Sequence, residues 1–389
     1  MSKPNYEFFN KKRQWSVVKD ELLQCYLVPY FQKVLYTKRP IAYIDCFAGA
    51  GKFNDGKDGS PLMALKNIQQ CLVQTKIVNP SIKSYFIEAN HADLLRTNLN
   101  GYKNFEVING KYEENILQIL KSCVGQNIFL YIDPYGVKEL DFNFLASLSN
   151  DDDFYTVEML LNLNSVGFLR MAFAALNIEF KNEADLLGLE EYDITPPKAL
   201  TETAIKVAGG DYWKEIIGDY RKGILNFYEA EERFVETYCK KLREHYRYVL
   251  NMPIRVKAEH SPKYRMIHAT NHIKGVLLMA DNMLRREQTM REIQQGRQLR
   301  LFEDAPNVDL KEILSGYLSR FKGFEHLNHI LADFFCTYGV ADVIPVLKNF
   351  EKQGDLLVER NPAKTKTGRS SKFFVENDSQ QTVRLKWTT

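Results

Sequence analysis

Most of this 389-residue chain is predicted to form an open α/β fold, a mainly parallel sheet with helices on both faces, carrying an α-helical insertion and followed by a small C-terminal domain of three helices and a hairpin. Three observations predict it. Ile41-Ala42-Tyr43-Ile44-Asp45 is an apolar run without a turn former, as in a strand buried on both faces, and it breaks at once into Cys46-Phe47-Ala48-Gly49-Ala50-Gly51. Further apolar runs recur downstream, separated by helix-period segments, which is the alternation of a parallel sheet. From residue 309 the pattern changes to three short amphipathic segments and two strand-like runs.

Bulk composition narrows the class. The length predicts two or three domains, and 45% hydrophobic residues suffice for an ordinary core. No run approaches the roughly 18 apolar residues of a membrane span, so no membrane partner is expected, and the polar start Met1-Ser2-Lys3-Pro4-Asn5 is unlike a signal peptide. The six cysteines are scattered and include no Cys-x-x-Cys pair, so neither a metal site nor a disulfide framework is indicated, and a reducing cytoplasmic location is expected. With a net charge of only +3, contact with DNA or RNA has to come from local basic patches.

In chain order, residues 1–36 read as an N-terminal helical segment. Val17, Leu22, Leu23, Tyr26, Leu27, Tyr30 and Phe31 fall at helical spacing behind Ser16, the expected N-cap, while Lys11, Lys12 and Arg13 are either phosphate contacts or a solvated basic face. After the first strand a polar loop, 52–58, leads to Gly59-Ser60-Pro61, where Ser60 caps a helix with proline in its first turn. Lys83-Ser84-Tyr85-Phe86-Ile87-Glu88 is a second strand ending in an acid. In nucleotide-binding α/β folds such an acid accepts ribose hydroxyls, so Glu88 is a candidate ribose ligand or else a surface acid. Phe105 to Gly110 is a third strand, with Asn109 at its end; in a methyltransferase sheet the loop after such a strand faces the adenine, usually with an acid or amide, and here Lys111 stands where an acid is expected.

The fourth strand, Asn127 to Ile132, ends in Asp133-Pro134-Tyr135-Gly136. An exocyclic amine on a base is a poor nucleophile because its lone pair is delocalised into the ring. Asp133 and the Pro134 carbonyl would supply two acceptors for such an amine, and Tyr135 a ring on which a splayed base stacks. The competing reading makes Asp133 the cap of the next helix. A fifth strand follows at Tyr155 to Asn164, a charged helical insertion at about 182–245, and two strand-like runs, 248–257 and 264–270, that would close the sheet as an antiparallel hairpin. Residues 272–296 form a charged helix, 297–308 a linker, and 309–389 the last domain. Its hairpin is expected to pair 355–360 with Ser371-Lys372-Phe373-Phe374-Val375, and its tip carries Lys364, Lys366, Arg369 and Lys372 without an acid, as a phosphate-contacting tip would.

Asp45-x-Phe47-Ala48-Gly49-x-Gly51 resembles motif I of the S-adenosylmethionine (SAM) dependent methyltransferases, and Asp133-Pro134-Tyr135-Gly136 resembles motif IV of the amino-methyltransferases, though without that motif's second proline. Gln298-Leu299-Arg300-Leu301-Phe302 resembles the clamp-binding pentapeptide of bacterial replication proteins, which makes a sliding clamp a candidate partner through Gln298–Phe302. Together with Phe9, Trp15-Ser16, Gly59-Ser60-Pro61, Glu88 and Ala269-Thr270-Asn271-His272, these motifs resemble the bacterial three-Cys-motif partner proteins, TcmP, over nearly the whole chain.

The resemblance implies a Rossmann-like SAM-methyltransferase sheet at 37–296, a C-terminal winged helix at 309–389, and a three-cysteine protein as partner. It further implies SAM contacts at Asp45, Phe47, Ala48, Gly49, Gly51, Glu88 and Asn109, with Asp133, Pro134 and Tyr135 orienting the substrate. Two functions follow as expectations. One is a SAM-dependent N-methyltransferase acting on a base in DNA or RNA. The other is a non-catalytic methyltransferase-like scaffold that brings a partner protein to nucleic acid, and a role in phage defence would follow only from the family's gene neighbourhood.

Overall fold

The computed structural model describes residues 14–150, 152–178, 197–255, 262–295, 309–334, 338–376 and 381–388. Two compact units divide the chain. The first reaches to His272 and takes in Arg286–Gln294, and the second is made of Ile273–Arg285 and the chain from Gln295 on.

The first unit is built on a mostly parallel seven-stranded sheet, a Rossmann-like α/β arrangement. Its strands are β1 (Ile41–Asp45), β2 (Ile82–Glu88), β3 (Phe105–Asn109), β4 (Asn127–Ile132), β5 (Thr156–Leu163), β6 (Tyr248–Ile254) and β7 (Tyr264–Thr270), in the order β3-β2-β1-β4-β5-β7-β6. β1 to β5 run parallel, and β7 lies antiparallel between β5 and β6. Because β1 is paired on both sides and covered on both faces, all five of its residues are buried, as an unbroken apolar run requires. The parallel register places Asp45, Glu88, Asn109, Ile132 and Leu163 along one carboxyl edge.

One face of the sheet is closed by α1 (Gln14–Val34), whose Tyr26 and Tyr30 pack on Phe129, and whose Phe31 packs on Tyr43. The helix is already formed at Gln14, so Ser16 lies inside it and is not the expected N-cap. A buried polar cluster pins its middle. Tyr26 donates its hydroxyl to Glu158 Oε1, which also lies 2.9 Å from His268 Nε2, while Thr270 Oγ1 donates to Glu158 Oε2 at 3.1 Å. Phe9, Lys11, Lys12 and Arg13 lie outside the described residues, as does the side chain of Trp15.

The remaining helices of the first unit are α2 (Ser60–Gln74), α3 (Ala92–Asn98), α4 (Tyr112–Lys121), α5 (Phe142–Ser147), α6 (Ser165–Ala175), α7 (Pro197–Ala208), α8 (Trp213–Arg221) and α9 (Phe227–Leu242). The last three occupy the expected insertion, and they share one continuous apolar core with α4, α5, α6 and the second face of the sheet. A buried ion pair ties α9 to β7, with the Arg265 guanidinium on both Glu231 oxygens at 2.9 and 2.5 Å. The long α10 (Ile273–Gln295) contributes to both units.

In the second unit α11 (Leu310–Leu318), α12 (Leu327–Phe334) and α13 (Val340–Gln353) accompany a three-stranded antiparallel sheet of β8 (Glu325–His326), β9 (Leu356–Asn361) and β10 (Thr382–Trp387), in the order β8-β10-β9. The returning arm of the hairpin is Thr382–Trp387 and not the expected 371–375. Phe374 is buried beneath the Arg360 guanidinium, 4.9 Å from the ring centroid, and Arg360 Nε donates to the Phe373 carbonyl, so this aromatic stretch packs as a strap and joins no ladder. The expected linker and its Gln298–Phe302 pentapeptide lie outside the described residues. Among the described residues no helix is long and apolar enough to cross a membrane.

Candidate functional site

Two strand ends meet at the carboxyl edge. β1 breaks into the turn 46–51, and β4 into Asp133-Pro134-Tyr135, and the strands are hydrogen-bonded neighbours. Between the two breaks lies a cleft open to solvent and lined by Phe47–Phe53, Gly59, Ser60, Tyr131, Asp133–Tyr135 and Asn162, with Lys19, Asp20 and Tyr264.

The turn needs its glycines. Gly49 and Gly51 both adopt positive φ, 62° and 76°, which L side chains rarely take. A Cβ on Gly51 would stand 2.7 Å from Leu95 Cδ1, so the turn also packs closely on α3. Two carboxylates fix the turn from below. Glu88 Oε2 accepts the Gly49 N–H at 2.8 Å, while its Oε1 accepts the N–H groups of Asn90 and His91 at 2.8 and 3.0 Å. Asp45 Oδ1 accepts the Phe47 N–H at 3.3 Å, and its Oδ2 accepts the Ser60 hydroxyl at 2.6 Å. Ser60 therefore spends its side chain on Asp45, and Gly59 takes the N-cap position of α2. Loss of water pushes the buried Asp45 carboxyl up to about 7, against the hydrogen bonds from Ser60 and Phe47 and with help from the charges on Asp133 and Glu88.

Asp133, a third carboxylate, is held by donors from three elements. Lys19 Nζ of α1 reaches both of its oxygens at 2.9 and 2.8 Å, Asn162 Nδ2 of β5 donates to Oδ1 at 2.6 Å, and Tyr131 Oη of β4 donates to Oδ2 at 3.3 Å. It caps no helix, since Asp141 caps α5. Burial, the largest single influence, lowers the pKa of Lys19, but the charge and hydrogen bond of Asp133, with Tyr264 and Asp20, together outweigh it and the ammonium is held above its ordinary value. Tyr135 stands at the cleft with 55% of its surface exposed.

Of the residues expected at the site, Phe47, Ala48, Gly49, Gly51, Asp133, Pro134 and Tyr135 line this one cleft, and Asp45 and Glu88 support its floor. Asn109 pairs with Glu88 across β2 and β3, is exposed, and is not among the lining residues. Lys364, Lys366, Arg369 and Lys372 belong to the second unit, all exposed, in the segment between β9 and β10.

Lys19, Asn162 and Tyr264 were not expected. Lys19 had a sequence signal, because it sits on the same helical stripe as Leu22, Leu23, Tyr26 and Tyr30, where a lysine is out of place. Asn162 had one as well, as a lone amide within Met159-Leu160-Leu161-Asn162-Leu163. Tyr264 had none. No protein-family model and no curated protein matches this chain.

Proposed function

We propose that the chain is a SAM-dependent N-methyltransferase acting on the exocyclic amine of a nucleic-acid base. The observation that carries this reading is the convergence of a positive-φ glycine turn and Asp133-Pro134-Tyr135 in one cleft at the carboxyl edge of a parallel sheet. An antiparallel β6–β7 pair at the end of that sheet supports the methyltransferase-like reading of the fold, and the carboxylates of Asp45 and Glu88 hold the turn in shape.

When bound, S-adenosylmethionine would supply an electrophilic methyl group carried on a sulfonium, with the neutral thioether as leaving group. The residues here have separate tasks. Gly49 and Gly51 keep the turn free of side chains, and Glu88 and Asp45 hold it in shape. Asp133 accepts an N–H of the amine, draws the nitrogen lone pair out of ring conjugation, and takes the proton that the methylated nitrogen sheds. Tyr135 stacks on the base. Positioning and electrostatics carry the rate, without a covalent enzyme intermediate.

In the same reading the second unit is a winged helix whose Lys364, Lys366, Arg369 and Lys372 contact phosphates, and the chain is a TcmP-like protein that works with a three-Cys-motif partner. A scaffold without catalysis is the second reading, favoured by the saturation of both Asp133 oxygens by Lys19, Asn162 and Tyr131.

Calorimetric titration with S-adenosylhomocysteine separates the two, with Gly49→Asp as control. Binding in the micromolar range that the variant loses, and methyl transfer to nucleic acid that Asp133→Ala abolishes, is the expected outcome. Absent cofactor binding alongside intact, salt-sensitive nucleic-acid binding would leave the scaffold.

A further inference from the structure

Asp133 is surrounded by donors and by one acceptor with nothing to accept. Asn162 gives its Nδ2 to Asp133 Oδ1 at 2.6 Å. That bond fixes the orientation of the amide, because an ionised carboxylate offers no proton and only the NH2 end can meet it. The other end, Oδ1, is therefore identified. It is buried, on a residue only 1% exposed that lines the cleft, and it has no hydrogen-bond partner among the described residues. Folded proteins seldom leave such an oxygen unpaired.

The Asp133 carboxylate, to which Asn162 is bonded, already holds a charged N–H donor. The Lys19 ammonium lies 2.9 and 2.8 Å from the two Asp133 oxygens and 5.1 Å from the centre of the Tyr264 ring. A charged amine is thus seated where the proposed reaction needs its substrate amine.

We propose that Asn162 Oδ1 and the Asp133 carboxylate form an acceptor pair that reads the two N–H bonds of the target amine, which enters by displacing the Lys19 ammonium. The inference rests on the amine-methylation reading and assigns it a selectivity. An exocyclic amino group presents two protons in the plane of the base, and two acceptors satisfy both. A carbonyl at the same place would set oxygen against two oxygens, so keto bases are rejected by repulsion as well as by missing hydrogen bonds. A base, and not an alkylamine, is the ligand that also uses the exposed Tyr135 ring on the cleft wall.

The test is fluorescence anisotropy with single-stranded oligonucleotides in three matched pairs: adenine against purine, cytosine against pyrimidin-2-one, and guanine against hypoxanthine. The members of each pair differ only in the amino group. The wild type is expected to prefer the aminated member of at least one pair by about tenfold or more, as befits a hydrogen bond to a charged acceptor. Asn162→Leu should bring that ratio below about threefold, and Lys19→Met should tighten binding of the aminated member alone. A wild type that discriminates in no pair overturns the proposal, as does a folded Asn162→Leu with the full ratio. Should Asn162→Leu not fold, Lys19→Met decides, since equal tightening of both members overturns the proposal too.

The comparison needs no cofactor. S-adenosylhomocysteine titrated into the same samples therefore keeps the two ideas apart. Cofactor binding without amine discrimination overturns this inference alone, and discrimination without cofactor binding overturns methyl transfer alone.

Discussion

Replacing Lys19 by Met removes the ammonium from Asp133 and keeps the aliphatic stem. The pair is neither on the surface nor sealed, with side chains 10% and 24% exposed. Exposed ion pairs contribute about 0.2–1 kcal/mol, whereas stripping one partner from a buried pair costs about 3–5 kcal/mol. Asp133 keeps its Asn162 and Tyr131 donors and some access to water, so the loss should fall between these limits, at about 2–3 kcal/mol. In a unit of this size that corresponds to about 3–5 °C in Tm.

The assay is urea unfolding of the wild type, Lys19→Met, Asp133→Asn and the double variant. Asp133→Asn strands the lysine instead, so the double variant should be less destabilised than the sum of the two, with a coupling of about 2 kcal/mol. Because the folded pKa of Lys19 lies above 10.5, this contribution is fully present below that pH and is lost only as the pH rises through the folded value. Additivity within about 0.5 kcal/mol would refute the reasoning, for it would make the ion pair an incidental one.

Three further outcomes are expected. Gly51→Ala, at φ 76° with its Cβ 2.7 Å from Leu95 Cδ1, should destabilise by about 2–4 kcal/mol in urea melts and abolish cofactor binding by calorimetry. The buried Asp45 carboxyl titrates at about 7 in place of 3.8, so folding stabilises its proton, and stability should fall by about 4 kcal/mol between pH 4 and pH 7. Asp45→Asn should flatten that stretch of the pH profile. Exchanging Lys364, Lys366, Arg369 and Lys372 for Gln should weaken nucleic-acid binding evenly across sequences and lower the slope of log affinity against log salt by up to about 0.9 for each phosphate that is no longer neutralised.

The parts of the site legible in the sequence are those made by contiguous chain. The turn 46–51 and Asp133-Pro134-Tyr135 announce themselves because an apolar run stops abruptly at small or turn-forming residues, and the parallel register brings such stops to one edge. What escaped depends on residues meeting across long separations. Lys19 and Asp133 are 114 positions apart, and nothing local to either specifies the other. The hairpin arm differs from expectation for another reason. Phe373-Phe374-Val375 has the composition of a strand, and its aromatic bulk is instead spent under Arg360, while the chain that pairs with β9, Thr382 to Trp387, alternates charged and apolar residues less conspicuously. Gly59 rather than Ser60 caps α2 because the Ser60 hydroxyl is drawn to a carboxylate 15 residues earlier.

The polar knot of Tyr26, Glu158, His268 and Thr270 gives α1 a fulcrum. Behind it the helix is bedded on Phe129 and Tyr43, and ahead of it, two turns or about 10 Å away, stands Lys19. Sliding the whole helix would break a buried carboxylate network at once, so the site can be uncovered only by swinging the lysine or fraying the leading turns. Access to Asp133 is thereby a matter of side-chain and helix-end motion, on the nanosecond to microsecond scale, with no displacement asked of the sheet beneath.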